Sequence, residues 1–219
     1  MIDWTPFILS FKLASTTVVI LLTIGIPLAW YLVRSQNFIK PILETVVSMP
    51  LVLPPTVLGF YIIWMFAPDS LVGKLLNSVG IEPLFSFTGL VFGSVLYSLP
   101  FMVQPLQSGF STIPKSVIEA SFVAGKSSWQ TLWKVVLPSS KQALLTAIVL
   151  TFAHTIGEFG VVLMVGGSIP GKTKVASIAI YEYVEMLDYH AAHIYSVIMV
   201  AISFAVLLVV YSYNKKRIF

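Results

Sequence analysis

Apolar residues fall in five runs long enough to cross a bilayer: residues 7–33, 42–66, 85–110, 143–165 and 191–213. A crossing helix needs about 20 mostly apolar residues. Each run predicts a helix, because a lone strand would leave its backbone unpaired in lipid. A sixth stretch, 175–187, is too short and carries Glu182 and Glu185, so it predicts a half-helix or an interfacial helix. Between the third and fourth runs lies a polar, mildly basic island, residues 112–138.

The island has its own punctuation. Pro114 suits a first helical turn. Glu119, Ala120 and Ala124 favour a helix, and Gly125 suits a left-handed end. Ser127 with Gln130 three residues on predicts a capping box, and Pro138 is expected to close the second helix. That helix is expected to expose Trp129, Leu132, Trp133 and Val136 at helical spacing. Such a helix lies on lipid headgroups or in a groove of a partner protein. The sharp turn at Gly125 favours the partner, since a surface anchor needs no turn.

Composition agrees with the span pattern. The 219 residues are 57% hydrophobic and 10% charged, against about 25% charged in soluble domains. The absence of cysteine excludes disulfides, thiolate metal sites and Cys nucleophiles. The net charge of +4 is a matter of orientation rather than nucleic-acid binding. Nine basic residues, Arg34, Lys40, Lys115, Lys126, Lys134, Lys141, Lys215, Lys216 and Arg217, fall on one side. Three, Lys74, Lys172 and Lys174, fall on the other, and Lys12 sits near the outer end of the first span. The richer side is expected in the cytoplasm, with the N-terminus outside and the C-terminus inside. The first run lacks a basic flank and a cleavage site, so it is expected to stay as a helix. Trp4, Trp30 and Trp64 near span ends predict an aromatic belt.

Candidate chemistry is sparse. Pro27, Pro50, Pro54, Pro55, Pro100 and Pro105 interrupt apolar runs, and each removes a backbone donor. Pro54-Pro55-Thr56, followed by Gly59, predicts a bend facing protein or a watery path. Gly166 to Thr173 satisfies the phosphate-loop pattern, yet it follows a predicted span where a strand is required. Glu158 and His154 lie four apart in the fourth run. They are open to pairing with each other, to Glu158 bonding backbone, or to proton relay. Thr56, Ser98 and Thr155 are candidate hydroxyl donors for a passing anion. Lys172 and Lys174 are candidates to receive it from outside, beside the reading of a plain solvated loop. His190 and His193 with Glu185 and Asp188 lack a standard metal spacing.

The island EASFVAGKSSWQTLWKVVLP, residues 119–138, resembles the cytoplasmic coupling loop of permeases from binding-protein-dependent ABC importers. Ser121 stands where the family usually has Ala. The run around residues 51–55, with 157–173 and 177–185, is similar to molybdate permeases; sulfate and tungstate permeases carry looser versions. The resemblance implies an all-α membrane protein forming one permease domain over residues 1–219. It would have about five transmembrane helices, a cytoplasmic coupling hairpin and one extracytoplasmic half-helix. It implies that Glu119 and Gly125 shape the hairpin and that Ala124 to Leu132 contact the ATPase. The coupling set is therefore Glu119, Ala120, Ser121, Ala124, Gly125, Lys126, Ser127, Trp129 and Leu132. Gate candidates are Pro54, Pro55, Thr56, Thr155, Gly157, Glu158 and Gly160. Implied partners are a second permease copy, two ABC ATPases that hold ATP and Mg, and an external binding protein. The implied place is a prokaryotic cytoplasmic membrane.

Overall fold

A computed structural model describes residues 2–215, and those residues contain helices and no strand. Lys216 and Arg217, counted above on the basic side, lie outside the described residues. The helices are α1 (Thr5–Arg34), α2 (Lys40–Ser48), α3 (Pro55–Phe66), α4 (Leu71–Ser78), α5 (Phe87–Ser111) and α6 (Lys115–Val123). They continue as α7 (Ser128–Thr131), α8 (Leu137–Ser139), α9 (Lys141–Gly157), α10 (Gly160–Gly166), α11 (Ala176–Glu185) and α12 (Tyr189–Lys215).

Among the described residues, three helices are long and apolar enough to cross a membrane: α1, α5 and α12. The second predicted run is two helices rather than one. Residues Lys40–Leu51 and Pro55–Phe66 meet at 110°. Pro54 and Pro55 remove two donors there, and Pro54 takes an extended backbone. The fourth run also breaks, with Glu158 and Phe159 between α9 and α10. By contrast α5 runs unbroken through Pro100 and Pro105. α4 lies outside the predicted elements, and its N-cap Ser70 accepts from Gly73 N–H at 2.8 Å.

α1, α5 and α9 pack against one another as the core. Their contact buries Leu21, Ala29, Leu32, Met102, Leu106 and Ala147 completely. In lipid this packing is held by close fit rather than by release of water. α3 and α10 form a second unit through Ile62, Phe66, Val161 and Val165. α11 is tied to α1 by the Ala176 N–H, which donates to the buried Ser10 hydroxyl at 2.9 Å. Over Tyr189–Leu208 α12 is mostly exposed, and its N-terminal half packs on α11 and α9, with Tyr195 against Phe7 of α1.

Candidate coupling hairpin and gate

The polar island folds as a hairpin across one end of the bundle. Gly125 takes φ +75°, the left-handed turn predicted for it. Ser127 and Gln130 form the capping box, with bonds of 3.2 and 3.0 Å. The second helix ends at Ser139, one residue beyond Pro138. Pro138 sits inside α8, and the preceding residues Leu132–Val136 widen into a π-helix. Leu137 N–H bonds the Leu132 carbonyl five residues back. Pro138 donates no bond, and Ser140 N–H closes the helix on the Val136 carbonyl at 3.0 Å. The chain bends at Ser140, where Ser128–Ser139 meets Lys141–Gly157 at 84°.

The predicted apolar face divides in two. Trp129 and Trp133 are exposed, with rings edge-to-face at 5.6 Å. Leu132 and Val136 are fully buried against α1 and α5. Leu132 therefore anchors the hairpin inside the bundle rather than on its surface. Ser121 is buried too, and its hydroxyl shares a 2.8 Å hydrogen bond with Thr131, joining the two hairpin arms. Glu119, Ala120, Ala124, Gly125, Ser127 and Trp129 are exposed and Lys126 is half-buried. Val123, absent from the sequence-derived set, is 89% exposed at the tip.

A clasp from α1 holds the hairpin. Ser128 Oγ accepts from Arg34 Nη1 at 2.8 Å and from Trp30 Nε1 at 3.2 Å. The Arg34 guanidinium also lies over the rings of Trp30 at 5.3 Å and Phe122 at 4.9 Å. Trp30 is thus buried in the bundle rather than on its surface, whereas Trp4 and Trp64 are exposed.

The gate candidates gather where the two broken runs cross. A Cβ on Gly160 would lie 2.6 Å from Pro55 Cβ, and one on Gly59 would lie 2.6 Å from Met164 Cβ. Pro54 and Thr56 are exposed and Pro55 is half-buried on the same turn. Gly157 has open space around it.

Glu158 and His154 do not bond each other. Glu158 stands outside α9, with extended backbone, so the four-residue helical spacing is lost. Both side chains instead reach serines one turn apart on α5. Ser94 Oγ donates to Glu158 Oε2 at 2.9 Å. Ser98 Oγ lies 3.0 Å from His154 Nδ1 and 2.9 Å from Thr155 Oγ1. Thr155 gives its proton to the Thr151 carbonyl, so Ser98 donates to Thr155 and accepts from His154 Nδ1–H. The Glu158 backbone carbonyl accepts from Ser177 on α11 at 2.6 Å. Glu158 Oε1 is buried without a partner.

The phosphate-loop pattern has the wrong surroundings. α10 precedes it where a strand is required, and Thr173 Oγ1 is spent on Ile169 N–H at 3.0 Å. Lys174 pairs with Glu182. Burial alone would raise the Glu182 carboxyl, but the hydrogen bond and charge of Lys174 outweigh it and hold the group below its ordinary range. Among the described residues, no three His, Asp or Glu side chains converge on a metal position. Glu185 accepts from Tyr181, and Asp188 caps Ala191 N–H at 3.0 Å.

Residues 21–218 match the family described as binding-protein-dependent transport system inner membrane component. The chain belongs to that family. It is a multi-pass protein of the inner membrane. The molybdenum transport system permease protein ModB of Azotobacter vinelandii is 46% identical over 96% of this chain and 93% of its own length. The putative molybdenum transport system permease protein YvgM of Bacillus subtilis is 34% identical, covering 93% and 90%. The probable sulfate transport system permease protein cysT of Chlorella vulgaris is 30% identical, covering 96% and 79%. Among solved structures, a bacterial ABC transporter that imports the polysaccharide alginate aligns with a TM-score of 0.76 at 16% identity. That alignment covers 98% of this chain and 80% of that one, and it speaks for the fold.

Proposed function

We propose that this chain is the permease subunit of an ABC importer for molybdate, driven by a separate ATPase. The observation that carries the reading is the 46% identity to a molybdenum permease along nearly the whole of both chains. Two copies would enclose the path, two ABC ATPases would supply ATP and Mg chemistry below, and an external binding protein would deliver the anion. The chain would cross the membrane about five times, N-terminus outside, with α11 as the outer half-helix. The basic residues at the hairpin end support that orientation.

In this account the exposed tip of the hairpin, Ala120, Val123, Ala124 and Trp129, seats in the ATPase. Closure of the ATPases moves the hairpin, and the Ser128 clasp with buried Leu132 and Val136 passes the motion to α1 and α5. The crossing at Pro55 and Gly160, held by Glu158, is where access would switch.

Sulfate is the second reading, favoured by the sulfate permease likeness. Proteoliposomes carrying the chain, its ATPase and its binding protein decide between them. ATP-dependent uptake of labelled molybdate that survives excess sulfate supports the first. Uptake abolished by equimolar sulfate supports the second.

A further inference from the structure

One polar cleft takes no part in the clasp or the gate. At the hairpin end of the bundle, α2 and α5 face each other through long polar side chains. Gln104 Nε2 donates to Ser48 Oγ at 3.0 Å. Gln107 Nε2 donates to Glu44 Oε1 at 2.6 Å, and Lys40 Nζ lies 3.7 Å from the same oxygen. Lys40, Gln104, Gln107, Ser108, Ser111 and Val33 line a cleft of about 370 Å³. Gln104 lies seven residues before the end of α5, about 10 Å up the helix. Polar side chains at that depth call for a watery face rather than lipid.

The donors there are only partly used. Lysine carries three N–H groups and each glutamine amide two. Ser48 takes one from Gln104 and Glu44 takes one from Gln107, while Lys40, at 3.7 Å from Glu44, is an ion-pair partner beyond hydrogen-bond distance. That leaves three on Lys40 and one on each glutamine, beside the Ser108 hydroxyl. Ser111 is spent on the Ser108 carbonyl at 2.7 Å. Lys40 and Glu44 cancel in charge, so the cleft is a neutral set of converging donors. A station on a transport path must hold its ion weakly enough to let it go.

We propose that this cleft is an exit station for the transported anion. A tetrahedral oxyanion dianion sits on the free donors of Lys40, Gln104, Gln107 and Ser108. Glu44 competes for the same groups and shortens its stay. The inference rests on the oxyanion reading of the permease.

Opposite charge changes test it in the assembled transporter. Equilibrium retention of labelled molybdate by the nucleotide-free complex is measured beside ATP-driven uptake. Glu44→Gln is expected to tighten retention about tenfold and to slow maximal uptake. Lys40→Gln is expected to weaken retention about tenfold. Gln104→Leu, which changes no charge, is expected to weaken it less. Co-purification with the ATPase checks that each variant is assembled. If Glu44→Gln and Lys40→Gln shift retention the same way, or neither shifts it, the pair is a structural contact and the station is refuted. If the wild type takes up no oxyanion at all, the functional reading itself falls, a result distinct from equal variants on an active wild type.

Discussion

Ser128 and Glu158 show how single polar atoms organise an apolar protein. Ser128 uses both acceptor lone pairs on α1. Arg34→Met removes one bond and the ring contacts. The clasp is partly exposed, so the expected cost is only about 1 kcal/mol of stability. The functional effect should exceed it: ATP hydrolysis continues while transported anion per ATP falls several-fold, read by paired hydrolysis and uptake assays. Glu158 meets only the Ser94 hydroxyl, without a cation among the described residues. Glu158→Gln keeps a side-chain carbonyl oxygen as acceptor for that hydroxyl and should unfold within about 1 kcal/mol of wild type. Glu158→Ala strands the hydroxyl and should cost about 2 kcal/mol, measured by thermal unfolding in detergent. Ser94 and Ser128 did not stand out in the sequence, and Ser98 stood out as an anion donor rather than as the partner of His154 and Thr155. A serine on an apolar helix carries no local sign of a partner 56 to 94 residues away.

At the scale of elements, the runs were legible because length and apolarity alone decide what can cross a bilayer. The break at Pro54-Pro55 was legible because proline lacks a donor. The break at Glu158–Phe159 was not, since no proline marks it and the apolar run continues on both sides. The inward turn of Leu132 and Val136 was also hidden. Periodicity shows that a helix has an apolar face, not whether a partner or the helix's own bundle covers it. Pro138 marked the end of the second helix to within one residue, while the π-turn before it carried no sequence signal. The crossing of α3 and α10 makes its own prediction. Gly160→Ala drives a methyl onto the rigid Pro55 ring and should cost about 1–3 kcal/mol. Gly157→Ala points into open space and should stay within about 0.5 kcal/mol of wild type. Chemical denaturation of the two variants side by side compares them directly.

For the whole molecule, the central claim is that this chain is a pathway moved by another protein through one hairpin. The apolar tip, Val123 at 89% exposed with Trp129 at 55%, is the surface left for that contact. The buried Ser121–Thr131 bond, the capping box and the Ser128 clasp lie behind it, so a tip substitution should leave the fold intact. The decisive measurement is ATPase capture by the purified chain, wild type against Val123→Asp, each weighed as a complex in detergent. The account predicts one ATPase per permease chain for the wild type. It predicts loss of capture in the variant, with an unchanged unfolding temperature. Full capture by Val123→Asp would show that the ATPase docks elsewhere, and no capture by the wild type would contradict the importer account.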